Sequence, residues 1–137
     1  MPLGLLCMSS SWADTCAGNE VSMIAPSETT DLGHGLKQTR LKSHVVLLSN
    51  DPIYNLTVGE CAGAMLQTPD GKTQMAGYCV RHDKAGDTFS TAWSQAPGAD
   101  KGEWRATGGT GKQDSGWWQV LYADANVVVS KWGGDCH

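Results

Sequence analysis

From Val58 onward the apolar and polar positions fall into short runs separated by turn residues, and the runs have the period of two that a β-strand requires. "ECAGAMLQT" and "KTQMAGYCVRH" flank Pro69-Asp70-Gly71, where proline presets one turn dihedral and glycine accepts a positive φ. This predicts a hairpin. A second follows at once, with "AGYCVRHD" and "DTFSTAW" on either side of Lys84-Ala85-Gly86, so three consecutive strands form a meander. Further on, "GEWRATGGTGK" begins as a strand and ends in Gly108-Gly109-Thr110-Gly111, and "SGWWQVLYAD" and "NVVVSKWGGDC" pair around Asp124-Ala125-Asn126. Upstream, "NEVSMIAPSE" and "HVVLLSNDP" read as strands, with the polar, turn-rich "TTDLGHGLKQTRLKS" between them. About seven or eight strands, with one short helix at most, expose edges that must be paired or covered. The expected class is therefore all-β, closed into an antiparallel barrel or a sandwich.

The register of the meander follows from its turns. Folding the first hairpin about Asp70 sets Cys61 opposite Cys79; folding the second about Ala85 sets Cys79 opposite Thr91 and Arg81 opposite Phe89. One face then carries Cys61, Cys79, Arg81, Phe89, Thr91 and Trp93, and the other Ala62, Ala64, Leu66, Tyr78, Val80, His82, Ser90 and Ala92. Each face mixes large apolar groups with polar ones, so alternation alone leaves open which one lines the interior.

Composition narrows the class of partner. The 137 residues suit one domain with a core of its own. Only 18% are charged, the formal net charge is -4 and no basic cluster occurs, so a nucleic-acid partner has no electrostatic footprint here. Nothing reaches the length of a transmembrane helix. Seventeen glycines, six tryptophans and a single phenylalanine agree with short strands and tight turns.

The first residues, "MPLGLLCMSSSWADT", have an apolar stretch and then small residues up to Ala13, the pattern of a secretory signal remnant over 1–13, leaving a single domain over 14–137. Cleavage there removes Cys7 and leaves Cys16, Cys61, Cys79 and Cys136, an even number suited to an oxidising, secreted or periplasmic setting. Three pairings can be drawn. Directly opposed Cys61 and Cys79 suit a strap across the first hairpin, and Cys16 with Cys136 would tie the chain ends, which closure of a barrel brings together. The cysteines lack the close-spaced second ligands of a structural zinc site, the histidines His34, His44 and His82 make no metal spacing, and no metal or cofactor is expected.

Across Cys61 to Lys112, the pattern of Cys61, Gly63, Gly77-Tyr78-Cys79, Asp83, Gly86-Asp87, Trp104 and Gly108-Gly109-Thr110-Gly111-Lys112 resembles a group of small, uncharacterised bacterial secreted proteins. Their barrel is of the allene-oxide-cyclase-like, calycin-like type shared with plant dirigent proteins. The run after Lys112 departs from that group, since Gln113-Asp114-Ser115-Gly116-Trp117 follows without the usual bend. The resemblance implies a closed antiparallel barrel of about eight strands with a small-molecule cavity, and no particular reaction.

Trp93, Trp104, Trp117, Trp118, Tyr122 and Trp132 crowd the second half, and successive Trp117 and Trp118 must point to opposite faces of their strand. Such residues fill a core in place of phenylalanine or line an aromatic pocket with a few convergent polar groups. For the second reading the expected lining is Glu60, Trp93, Trp104, Trp118 and Tyr122, with Arg81, His82 and Tyr78 as candidate catalytic groups. Asp83 to Asp87 lacks the later glutamate of a calcium loop, and Gly108 to Lys112 lacks the spacing and following helix of a phosphate loop. Three functions fit: a barrel binding a small apolar or aromatic molecule, a cofactor-independent lyase, isomerase or cyclase, and a structural, partner-binding module that forms a homo-oligomer.

Overall fold

The computed structural model describes residues 14–109 and 115–136. The amino-terminal stretch with its signal-like pattern, and Thr110 to Lys112 of the glycine-rich run, lie outside the described residues. Among the described residues nine strands follow one another: β1 (Cys16–Ile24), β2 (Glu28–Gly33), β3 (Leu36–Ser49), β4 (Thr57–Gln67), β5 (Thr73–His82), β6 (Thr88–Gln95), β7 (Gly102–Gly109), β8 (Ser115–Ala123) and β9 (Val127–Asp135). Among the described residues there is no helix.

Every pairing is antiparallel, in the order β1-β9-β8-β7-β6-β5-β4-β3-β2, and β1 also pairs with β3. That last ladder, from Gly18 opposite Ser49 to Ile24 opposite Ser43, closes eight strands into a barrel and leaves β2 as an addition. β1 and β2 lie in succession along one edge of the 14-residue β3, on either side of Ala25-Pro26-Ser27. Proline cannot donate to a ladder, so the kink falls where the chain leaves the barrel wall.

The polar stretch expected to be turn-rich is thus a hairpin of its own. Its turn runs through His34 at φ 57, flanked by two glycines at positive φ, with Asp31 accepting from the Gly33 amide at 2.9 Å. β2 is mostly polar because it has no buried face: all six residues are exposed, Leu32 among them.

The two predicted hairpins form with the predicted register. Cys61 faces Cys79, Cys79 faces Thr91 and Arg81 faces Phe89. The face that points inward is the one carrying the cysteines: Cys61, Cys79, Arg81, Phe89 and Thr91 are all buried, whereas Tyr78 is 60% exposed. In β3 the alternation is just as direct, with Ser43, Val45 and Leu47 buried and their neighbours Lys42, His44 and Leu48 exposed.

Among the described residues two disulfides form, Cys61–Cys79 and Cys16–Cys136. The first joins Cα atoms 4.0 Å apart, the close spacing of facing residues in a non-hydrogen-bonded pair. The second lies at one end of the barrel in a cluster with Leu47, Tyr54, Phe89 and Trp132. Tyr54 arrives on the loop between β3 and β4 and meets Phe89 edge to face, with ring centroids 5.7 Å apart. This end is packed solid.

Candidate functional site

The other end opens. A cavity of about 550 Å³ runs from the packed cluster to a mouth where exposed Ser27, Ala123, Asp124 and Ala125 meet Met65 and Met75. Its size suits a small organic molecule.

Tryptophans and glycines shape its walls together. Inward positions on neighbouring strands are occupied by glycine wherever an indole lies flat across the sheet. Trp93 covers Gly63 and Gly77, Trp104 covers Gly116 and Gly134, and Trp118 covers Gly102; a Cβ at any of these glycines would overlap the ring. Each indole therefore stays on the wall, where it narrows the cavity without filling it. Trp93 and Trp118 then meet edge to face at 6.3 Å, as do Trp104 and Trp132.

Three of these four inward indoles donate Nε1–H to a backbone carbonyl: Trp104 to Gly133 at 3.3 Å, Trp118 to Glu103 at 3.2 Å and Trp132 to Asn19 at 3.2 Å. Trp93 differs, its buried Nε1 having no partner among the described residues.

The polar part of the cavity is concentrated in one group. Arg81 donates through Nε and Nη2 to Glu20 Oε2, at 3.0 and 2.6 Å, and through Nη1 to Thr91 Oγ1 at 2.9 Å. The side chains of Arg81 and Glu20 are only 9% and 16% exposed. Glu20 comes from β1 and Arg81 from β5, so the pair spans the interior of the barrel. Removing two charges from water costs several kcal/mol per ion before their attraction is counted, so such a pair is weak evidence for stability. A charged pair facing a cavity is the kind of arrangement found at functional sites.

The expected pocket residues divide. Trp93, Trp104, Trp118 and Arg81 line the cavity, as do Cys61 and Cys79. Glu60, Tyr78 and His82 sit one residue out of phase on β4 and β5, and alternation carries them to the outer wall, where all three are exposed. There Glu60 faces His44, Oε1 to Nδ1 at 3.5 Å, in a solvent-exposed pair. The convergence of Glu60, Tyr78 and His82 with Arg81 in one pocket is therefore not what the register produces.

Tyr122 also lies outside, 56% exposed. A register shift between Val120 and Tyr122 reverses the alternation of β8, so Val120 lines the cavity while Tyr122 pairs with Val129 on the outer wall. Its hydroxyl donates to Asp124 Oδ2 at 2.8 Å. The backbone amide of Asn126 and then the Tyr122 hydroxyl hold the Asp124 carboxyl below its ordinary value of 3.8, and the same carboxylate pushes the Tyr122 phenol above 10.0. This network fixes the β8–β9 turn at the cavity mouth.

Of the adjacent pair, Trp118 faces in and Trp117 faces out, with the Lys101 ammonium 4.7 Å from its ring centroid.

Glu20 is the site residue that sequence reasoning missed. Its signal was present: in "NEVSMI" it shares a face with Ser22 and Ile24, opposite Val21 and Met23. What the local pattern lacks is the partner, because Arg81 lies 61 residues away.

No protein-family model, curated protein or solved structure matches the chain. The fold and the cavity carry the functional argument.

Proposed function

We propose that this protein binds a small, largely apolar or aromatic molecule inside its barrel. The observation that carries the reading is the open cavity of about 550 Å³, walled by Trp93, Trp104, Trp118, Met65 and Met75 and holding the Arg81–Glu20 ion pair. A mostly apolar space with a few placed polar groups is what small-molecule sites commonly have. The two disulfides support a secreted or periplasmic setting, where such bonds persist. The closed antiparallel topology supports kinship with the allene-oxide-cyclase-like barrels.

A cofactor-independent cyclase, isomerase or lyase is the second reading, favoured by the Arg81–Glu20 pair, which places an ionisable couple against any molecule in the cavity. Oligomerisation draws its support from the outer wall, where Met23, Val58 and Val80 are about half exposed around the His44–Glu60 pair.

Native mass spectrometry of protein purified from its own host without reductant tests the first reading. A co-purifying small molecule that is lost from Ile24→Trp, which narrows the mouth, is the expected result. A molecule retained unchanged by that variant places binding elsewhere and overturns the reading.

A further inference from the structure

The polarity of the cavity, taken as the ligand site proposed above, constrains what it accepts. Arg81 would ordinarily mark a pocket for a carboxylate, because the guanidinium fork matches two carboxylate oxygens. Here the fork is taken. Nε and Nη2 both donate to Glu20 Oε2, and Nη1 donates to Thr91. The pair is neutral as a unit, so an entering anion would meet the Glu20 carboxylate and no uncompensated positive charge.

Of the five guanidinium N–H groups, one each on Nη1 and Nη2 has no protein partner among the described residues, but both sit on a cation already neutralised by Glu20, and Glu20 itself keeps unfilled acceptor capacity. Glu20 Oε1 accepts no hydrogen bond among the described residues, since both contacts from Arg81 fall on Oε2. A carboxylate oxygen that faces an open cavity is free to accept from a donor that a ligand brings in. The same cavity is lined by Ser22, Ser43 and Ser130, with Ser130 directly opposite Glu20 across the β1–β9 ladder. None of these three hydroxyls has a protein hydrogen-bond partner among the described residues. The polar region thus offers one carboxylate acceptor and several adaptable hydroxyls, within walls that are otherwise aromatic and aliphatic.

We propose that the cavity selects neutral, hydroxyl-bearing apolar molecules, a phenol or an alcohol whose O–H donates to Glu20, and rejects the corresponding carboxylates. Glu20 acts in two ways: it accepts from the ligand, and by occupying Arg81 it removes the site's attraction for anions.

Isothermal titration of the disulfide-intact protein at neutral pH with β-naphthol, naphthalene and β-naphthoate tests this, because the three share one ring system and differ only in the polar group. β-Naphthol binds most tightly, and β-naphthoate binds roughly tenfold or more weaker than it, the factor that a single pKa-scale like-charge effect produces. In Glu20→Gln the order of these two reverses, because Arg81 is released to pair with the carboxylate. In the double variant Glu20→Gln, Arg81→Gln the advantage of β-naphthol over naphthalene shrinks. The wild-type comparison stands even where a variant fails to fold. β-Naphthoate binding as well as or better than β-naphthol to the wild type overturns the selectivity while leaving a ligand cavity in place. Failure of all three to bind overturns the cavity reading as well.

Discussion

The two disulfides occupy regions of opposite character. Cys16–Cys136 lies among Leu47, Tyr54, Phe89 and Trp132 at the packed end, and closes a loop over a sequence separation of 120 residues. Cys61–Cys79 lies on the wall of the cavity, bridges one hairpin, and spans 18 residues. One fastens the ends of the chain where nothing needs to enter. The other stiffens a wall beside open space, two positions from Arg81. Apolar contact is concentrated at the packed end, and this leaves the other end free to stay hollow.

Removing each bond in turn has the largest expected effects. Cys16→Ala with Cys136→Ala lowers unfolding stability by about 5 kcal/mol in the chain-entropy treatment, enough to threaten folding, read as the shift in denaturant midpoint. Cys61→Ala with Cys79→Ala costs about 3 kcal/mol on the same basis, since closing the shorter loop removes less entropy from the unfolded chain. An equal or larger loss from the second pair would mean that the hairpin, and not the junction of the ends, is the main fastening.

Smaller effects sharpen the picture of the hollow end. Gly102→Ala sets a methyl group against the Trp118 indole and costs about 1–3 kcal/mol through overpacking, with a changed near-ultraviolet dichroism of the tryptophans. An unchanged spectrum would show that Trp118 does not lie across Gly102. The least effect is expected at the mouth. Because the folded Asp124 carboxyl lies below its ordinary 3.8, its contribution is present above that value and is lost as the pH falls through the folded one. Tyr122 runs the other way, with its contribution present below 10.0 and lost as the pH rises through its raised folded value. Amide exchange at Asn126 and Val127 should therefore quicken in acid below 3.8, and Asp124→Asn should remove most of that dependence.

Much of the wall was legible because its information is local. Pro69-Asp70-Gly71 sets a hairpin axis, and parity then places Cys61 against Cys79 and Arg81 beside Phe89. The inward face was not legible, because Ala62, Ala64, Tyr78 and Val80 make the outer wall nearly as apolar as the inner one. The choice between faces rests on contacts distant in sequence: Arg81 with Glu20, and Trp93 across Gly63. Plain alternation along "WWQVLY" places Tyr122 in the pocket, because the bulge that reverses the strand's parity leaves no mark in the sequence. The hairpin of β2 and β3 was hidden by its polarity, for a strand without a buried face carries no apolar period to read.

The central claim is that the interior between Trp93, Trp118 and the Arg81–Glu20 pair is a binding site entered from the open end. A crystal structure of the protein soaked with β-naphthol tests it most directly. The ring is expected inside the barrel against the tryptophan walls, its hydroxyl within hydrogen-bonding distance of Glu20. Density for the ligand on the outer wall around Val58 and Val80, with the interior unoccupied, would contradict it.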